Sequence, residues 1–200
     1  MINLKRLYII LICAFVAVSA TGVYAYRVNK DLNENIIRLH ILGNSNNIFD
    51  QEIKYKIRDK VINSYSFEGE TKDKQYKILE SNLDNIKTDV DKWLMELGVD
   101  YQCSVTLTDD VFPTKEYGNI RLPYGKYTAL KIILGNGDGR NWWCVMFPPM
   151  CFVEGTTGFI DEESNKYLKE NLTPAEYKLI TGEDVQIRFK TVEIINKIFN

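Results

Sequence analysis

The segment Asn141-Trp142-Trp143-Cys144-Val145-Met146-Phe147-Pro148-Pro149-Met150-Cys151-Phe152 constrains the fold of this chain more than any other. It holds two of the three Trp, two of the four Cys and two of the five Pro. Asn141 to Phe147 reads as a strand, and Pro148-Pro149 must end it, because proline has no N–H to give to a ladder. Side chains alternate along a strand, so Trp142 and Trp143 point to opposite faces of whatever sheet the segment joins. The bend can bring Cys144 and Cys151 together, and closing that loop of eight residues would contribute about 2.5 kcal/mol by chain entropy. Two reduced, packed thiols are the other reading, and the sequence leaves both open.

The N-terminus has its own logic. Lys5 and Arg6 precede an apolar run from Leu7 to Val18, and small residues follow through Ala25. Val23 and Ala25, or Val18 and Ala20, fit the small-residue rule for signal-peptidase cleavage. A helix from Leu7 to Ala25 would be ~28 Å long against a hydrocarbon core of ~30 Å, so an uncleaved anchor fits as well. Either way the segment after it is expected outside the membrane, with Lys5 and Arg6 inside. Residues 1–25 are therefore read as signal peptide or anchor, and 26–200 as one exported domain. The exported part keeps 23 basic and 27 acidic residues, a formal charge of −4. That balance argues against nucleic acid, which calls for a concentrated basic face, and against strong attraction to anionic lipid. An exported location also permits disulfides.

Local patterns place the elements. Tyr26 to Asn35 is polar and reads as a tether. Ile36 to Leu42 is strand-like and stops at Gly43-Asn44. Asn47 reads as the cap of a helix with Asp50 at its third position, an apolar stripe of Phe49, Ile53, Ile57 and Val61, and Lys54 facing elsewhere. A longer helix runs from about Lys74 to Leu97 and ends at Gly98. Tyr101, Cys103, Val105 and Leu107 alternate with polar residues, the mark of a half-buried strand. Thr108 to Gly118 reads as a loop, Ile120 to Leu122 and Tyr127 to Leu134 as strands joined at Pro123 to Lys126, and Gly135 to Gly139 as a hairpin turn. Thr173, Pro174 and Glu176 form a helix start with a capping box. A last element between Asp184 and Phe199 is helix or strand. The expected fold is α+β: a mostly antiparallel sheet packed against two N-terminal helices, with short C-terminal helices.

Few residues suggest reaction chemistry. Three scattered Cys and one His lack the paired spacing of a zinc site, so no metal is expected, nor any cofactor. Gly135 to Gly139 fails the dinucleotide spacing and precedes a strand where phosphate capture needs a helix. Asp109-Asp110 and Glu162-Glu163 read as solvated turns. Cys144 with His40 is the single thiol–imidazole pair on offer, and it would make the chain an exported thiol-dependent or cell-wall-acting hydrolase. Arg38, His40, Asn44 and Ser45 cluster at the end of the first strand. They can fix a turn by local hydrogen bonds, or form a polar patch beside the aromatic block.

Two segments carry a family resemblance. Arg38-Leu39-His40-Ile41-Leu42-Gly43-Asn44-Ser45, followed by Asp50-Gln51, Lys54, Lys56, Arg58, Asp59 and Val61, resembles the opening of stage II sporulation protein R. Gly135-Asn136-Gly137 through Asn141 to Phe152 resembles its second hallmark block. Many members carry a proline where this chain has Ile48. The resemblance implies a protein made in the forespore and exported into the space between forespore and mother cell. There it would activate a membrane-embedded aspartic protease that processes pro-sigma-E. It implies a ligand and not an enzyme. On that view Trp142, Trp143, Phe147 and Pro148 form an anchor for the partner, with Arg38, His40, Asn44, Ser45, Asn141 and Pro149 beside it. Filling the gap between sheet and helices is the alternative role for the Trp pair. A passive structural protein of the intermembrane space is a third reading of the chain.

Overall fold

The computed structural model describes residues 4–65, 71–151, 160 and 162–181. Helix α1 (Leu4–Asn35) leads into strand β1 (Ile37–Leu42), then helices α2 (Ile48–Ser64) and α3 (Lys72–Glu96). Strands β2 (Cys103–Phe112), β3 (Lys115–Tyr117), β4 (Ile120–Leu122), β5 (Gly125–Leu134) and β6 (Asn141–Phe147) follow, and then helices α4 (Glu162–Asn171) and α5 (Pro174–Thr181). The main sheet has the order β2-β5-β1-β6, and β3-β4 forms a separate ribbon. Only β1 and β5 pair in parallel; the other three pairings among the described residues are antiparallel. The fold is α+β, as the pattern implied.

Local chemistry sets the helix ends. Asn47 caps α2 by accepting the Asp50 N–H at 2.6 Å, and Thr71 caps α3 from Lys74. Gly98 takes φ +79° after α3, so its N–H reaches the Met95 carbonyl and the Val99 N–H reaches Leu94. That pair of bonds satisfies carbonyls the helix leaves free. At α5, Thr173 and Glu176 exchange hydrogen bonds as a capping box.

The register sorts the sheet into two faces. Leu39, Ile41, Leu130, Ile132, Leu134 and Cys103 share one face, and α2 and α3 cover it with Ile53, Ile57, Val61, Leu79, Ile86, Val90 and Leu94. Arg38, His40, Ala129, Lys131 and Asp110 share the other. The polar alternation of β2 is the imprint of this second face.

Several expectations are corrected. Tyr26 to Asn35 is not a tether: α1 runs unbroken to Asn35, and its end docks. Leu32 is fully buried, and Asn33 accepts the Thr128 N–H on its side chain and Lys72 Nζ on its carbonyl. Leu4–Tyr24 of the same helix is exposed and long and apolar enough to cross a membrane. Thr108 to Gly118 is not a loop: β2 continues to Phe112 and β3 follows. Asp109 and Asp110 hid that continuation because they interrupt the apolar alternation. Strand β4 pairs with β3, not with β5. Gly135 to Gly139 is no hairpin turn, because β1 lies between β5 and β6. Glu162 and Glu163 begin α4, where carboxylates suit the helix N-terminus. Phe49 lies exposed while Lys54 is buried, so the α2 stripe turns about Ile53 and not Phe49. The segment from Asp184 to Phe199 lies outside the described residues.

Candidate functional site

The two hallmark segments meet at one pole, where β1 ends and β6 begins. The loop from β5 crosses over the end of β1 and bonds to it. The Gly139 N–H donates to the Gly43 carbonyl (2.8 Å), Asp138 N–H to the Asn44 carbonyl (3.1 Å) and Asn136 N–H to Asn44 Oδ1 (3.0 Å). The crossing is so close that glycine is required. A Cβ on Gly139 would collide with the Ser45 and Gly43 carbonyls, and one on Gly135 with Asn44. The glycines thus serve backbone-to-backbone packing, not phosphate capture.

Asp50 is the centre of this pole. It is almost fully buried, and its carboxylate accepts from Ser45 Oγ (2.6 Å), Asn44 Nδ2 (2.9 Å), Asn47 Nδ2 (3.0 Å) and Tyr101 Oη (3.0 Å). Burial works against its charge, but these donors outweigh it and hold its carboxyl below the usual range. Beside it, Gln51 donates to the Ser45 carbonyl, and Lys54 Nζ donates to Gln51 Oε1 (2.6 Å) and the Arg140 carbonyl (3.0 Å). Asn44 and Ser45 are therefore turn-fixing residues whose side chains point inward. Asp50, Gln51, Lys54 and Tyr101 were not singled out as site residues. Three of them stand in the quoted motif, which was the available signal; Tyr101 joins only through the fold.

Arg38 and His40 build the second face. Arg38 is fully buried, donates from Nε to the Cys144 carbonyl (3.0 Å) and from Nη2 to Tyr117 Oη (2.8 Å), and lies over the rings of Phe112, Tyr127 and Tyr117. Its Nη1 has no hydrogen-bond partner among the described residues. A caged cation of this kind holds strands together; it offers nothing to a partner at the surface. His40 Nδ1 lies 2.7 Å from Asp110 Oδ2, and Nε2 lies 2.7 Å from Asn141 Oδ1. An ionised carboxylate only accepts, so Nδ1 carries the proton of that bond. Burial opposes the Asp110 charge, yet hydrogen bonds from His40 and Lys131 keep its carboxyl below the usual range. Asp110 is thus no solvated turn residue. The imidazole also stacks on Trp143, with centroids 5.7 Å apart.

The two Trp do face opposite ways. Trp143 pairs with His40 and Trp142 with Ile41. Both are half-buried, and neither indole N–H has a hydrogen-bond partner among the described residues. Trp142 sits under the Arg58 guanidinium, 4.3 Å from its ring centroid, with Tyr55 edge-on at 5.5 Å. Past Phe147 the chain turns back through Pro148-Pro149, the Met150 N–H reaches the Val145 carbonyl, and Cys144 and Cys151 are disulfide-bonded. Phe147 and Pro148 are buried, Phe147 against Tyr167, while Asn141 and Pro149 are exposed.

No thiol–imidazole pair is assembled. Cys144 pairs with Leu39 on the face opposite His40, and its sulfur is bonded to Cys151. Cys103 is buried, and burial, then Asp91, pushes its thiol up to about 12, far from thiolate chemistry. No group of three or more metal-ligating side chains occurs among the described residues.

The family model of stage II sporulation protein R matches residues 33–157, which include both hallmark segments. The stage II sporulation protein R of Bacillus subtilis (strain 168) is 32% identical over 185 residues, covering 84% of this chain and 83% of that protein. No solved structure matches the chain.

Proposed function

This chain belongs to the stage II sporulation protein R family, and from that membership we propose that it is an exported signal of endospore formation that activates a membrane-embedded aspartic protease. That protease would lie in the mother-cell membrane and process pro-sigma-E. The signal would act from the space between forespore and mother cell, delivered there by residues 1–25 as a signal peptide or held there by them as an anchor.

The observation that carries the reading is the match across residues 33–157, whose two hallmark segments meet where β1 ends and β6 begins. Three features support it. The apolar part of α1 suits export. The Cys144–Cys151 disulfide suits an oxidising compartment. The two Trp are half-exposed at the edge of the sheet, and such rings are common anchors in protein interfaces. A ligand of this kind activates only by binding the active form of its receptor more tightly than the inactive one.

The test is sigma-E processing in sporulating cells. Deletion of the protein is expected to stop it. Replacing Trp142 and Trp143 by Ala together is expected to stop it while the protein stays folded and exported. Normal processing without the protein would overturn the reading. Normal processing in the double variant would remove the Trp pair from it. A passive structural role predicts no transcription defect in either strain.

A further inference from the structure

We infer that the surface where β6 meets α2, formed by Trp142, Tyr55, Arg58 and Arg140, docks an acidic segment of a partner protein outside the membrane. The inference rests on the signalling reading above and assigns its contact to one side of the sheet.

Trp142 lies on the helix-covered face, but at the end of β6 where the cover thins. Its ring is held between the Arg58 guanidinium and the edge of Tyr55, which is 40% exposed. The ring is therefore fixed in place, which lowers the ordering cost of a contact. Its indole N–H is shielded from solvent, so it lies out of a partner's reach and the contact rests on the ring and the cations beside it.

The charges nearby are unbalanced. Arg58 also lies over Tyr55, as does Lys54. Lys54 is buried, and its amine is pushed down to about 8 by burial and then by Arg140 and Arg58, with no carboxylate among the causes. Arg140 makes no ion pair among the described residues, and Arg58 has Asp59, which is itself about half-exposed, at 2.7 Å. In a chain of formal charge −2, Arg58 thus lies on both Trp142 and Tyr55, Lys54 lies on Tyr55, and the Lys54 amine bonds the Arg140 carbonyl. Carboxylates brought by a partner would relieve that repulsion, and cation heads beside an aromatic ring suit such a segment.

Position favours protein over lipid. Strand β1 starts beside the docked end of α1, and its far end, Leu42, pairs with Asn141. About 20 Å of strand therefore separates the patch from the helix that carries the apolar span.

The experiment measures binding by the full chain of three probes: a labelled decapeptide of alternating glutamate and tyrosine, the matching lysine–tyrosine decapeptide, and vesicles of phosphatidylglycerol and phosphatidylcholine in equal parts. The glutamate peptide is expected to bind, the lysine peptide not to, and binding should weaken about tenfold in R58Q/R140Q and with rising salt. Failure to bind the glutamate peptide, wild-type peptide binding that ignores salt, equal peptide binding by R58Q/R140Q, or vesicle binding that falls in R58Q/R140Q although both proteins carry the same apolar part of α1, would overturn the inference. The salt titration needs no variant, so misfolding cannot blur it. In cells, R58Q/R140Q should lose sigma-E processing with the exported protein at normal level. Normal processing there, with processing still lost on deletion, would overturn this surface and leave the signalling reading standing.

Discussion

Replacing Asp50 by Asn tests whether the buried carboxylate organises the hallmark pole. Oδ2 accepts from Asn44, Ser45 and Asn47, while Oδ1 accepts from Tyr101. The least disruptive amide would turn its NH2 toward Tyr101, whose hydroxyl can rotate to accept. The remaining oxygen would keep three donors but lose its charge. A hydrogen bond to a charged group contributes ~1.5–3 kcal/mol and a neutral one ~0.5–1.5, so the three bonds together lose about 3 kcal/mol. For a chain of this size that is a fall in Tm of roughly 6–12 °C. The pH dependence adds a second check. The Asp50 carboxyl is lowered in the folded state, so its contribution is fully present above the ordinary carboxylate value of 3.8 and is lost as pH falls through the folded value. Wild type and D50N should therefore differ most near neutrality and converge in acid. Urea unfolding followed by circular dichroism, repeated from about pH 7 down to about pH 3, measures both. A difference under about 0.5 kcal/mol at neutral pH, or one that stays constant into acid, would refute the reasoning.

Three further perturbations follow from the same structure. Lys54 is lowered to about 8 against a usual 10.5, so on its account the unfolded chain holds more protons between those values, and the stability of wild type relative to K54M should rise with pH across that window, as read by denaturation midpoints of the two proteins side by side. Gly139→Ala would drive a Cβ into the Ser45 and Gly43 carbonyls, which cannot swing away, and should cost about 1–3 kcal/mol by thermal unfolding. Replacing Cys144 and Cys151 by Ser together should remove about 2.5 kcal/mol, and reduction of the wild type should lower its Tm similarly; an unchanged Tm on reduction would mean the bond is not formed.

Much of the local structure was written in local chemistry. Asn47, Thr173 and Glu176 cap helices because their side chains reach amides three residues away, a contact the chain makes whatever surrounds it. Pro148-Pro149 ends β6 for an equally local reason, and the alternation of β2 gave its half-buried face. The two Trp were bound to point opposite ways once the strand was recognised. Pairing across the chain was not legible in this way. Gly135 to Gly139 looks like a hairpin turn until β1 is found between its flanking strands. Lys54 and Arg38 look like surface cations, and only the meeting of α2 with the Arg140 carbonyl, and of β1 with Phe112, Tyr117 and Tyr127, explains their burial. His40 finds Asp110 70 residues away, and Asp50 finds Tyr101 across 51. Sequence alone settles interactions that span a turn or less, because there the backbone itself sets the distance. Contacts between distant segments depend on which strands pair and in which register, and only the assembled sheet decides that.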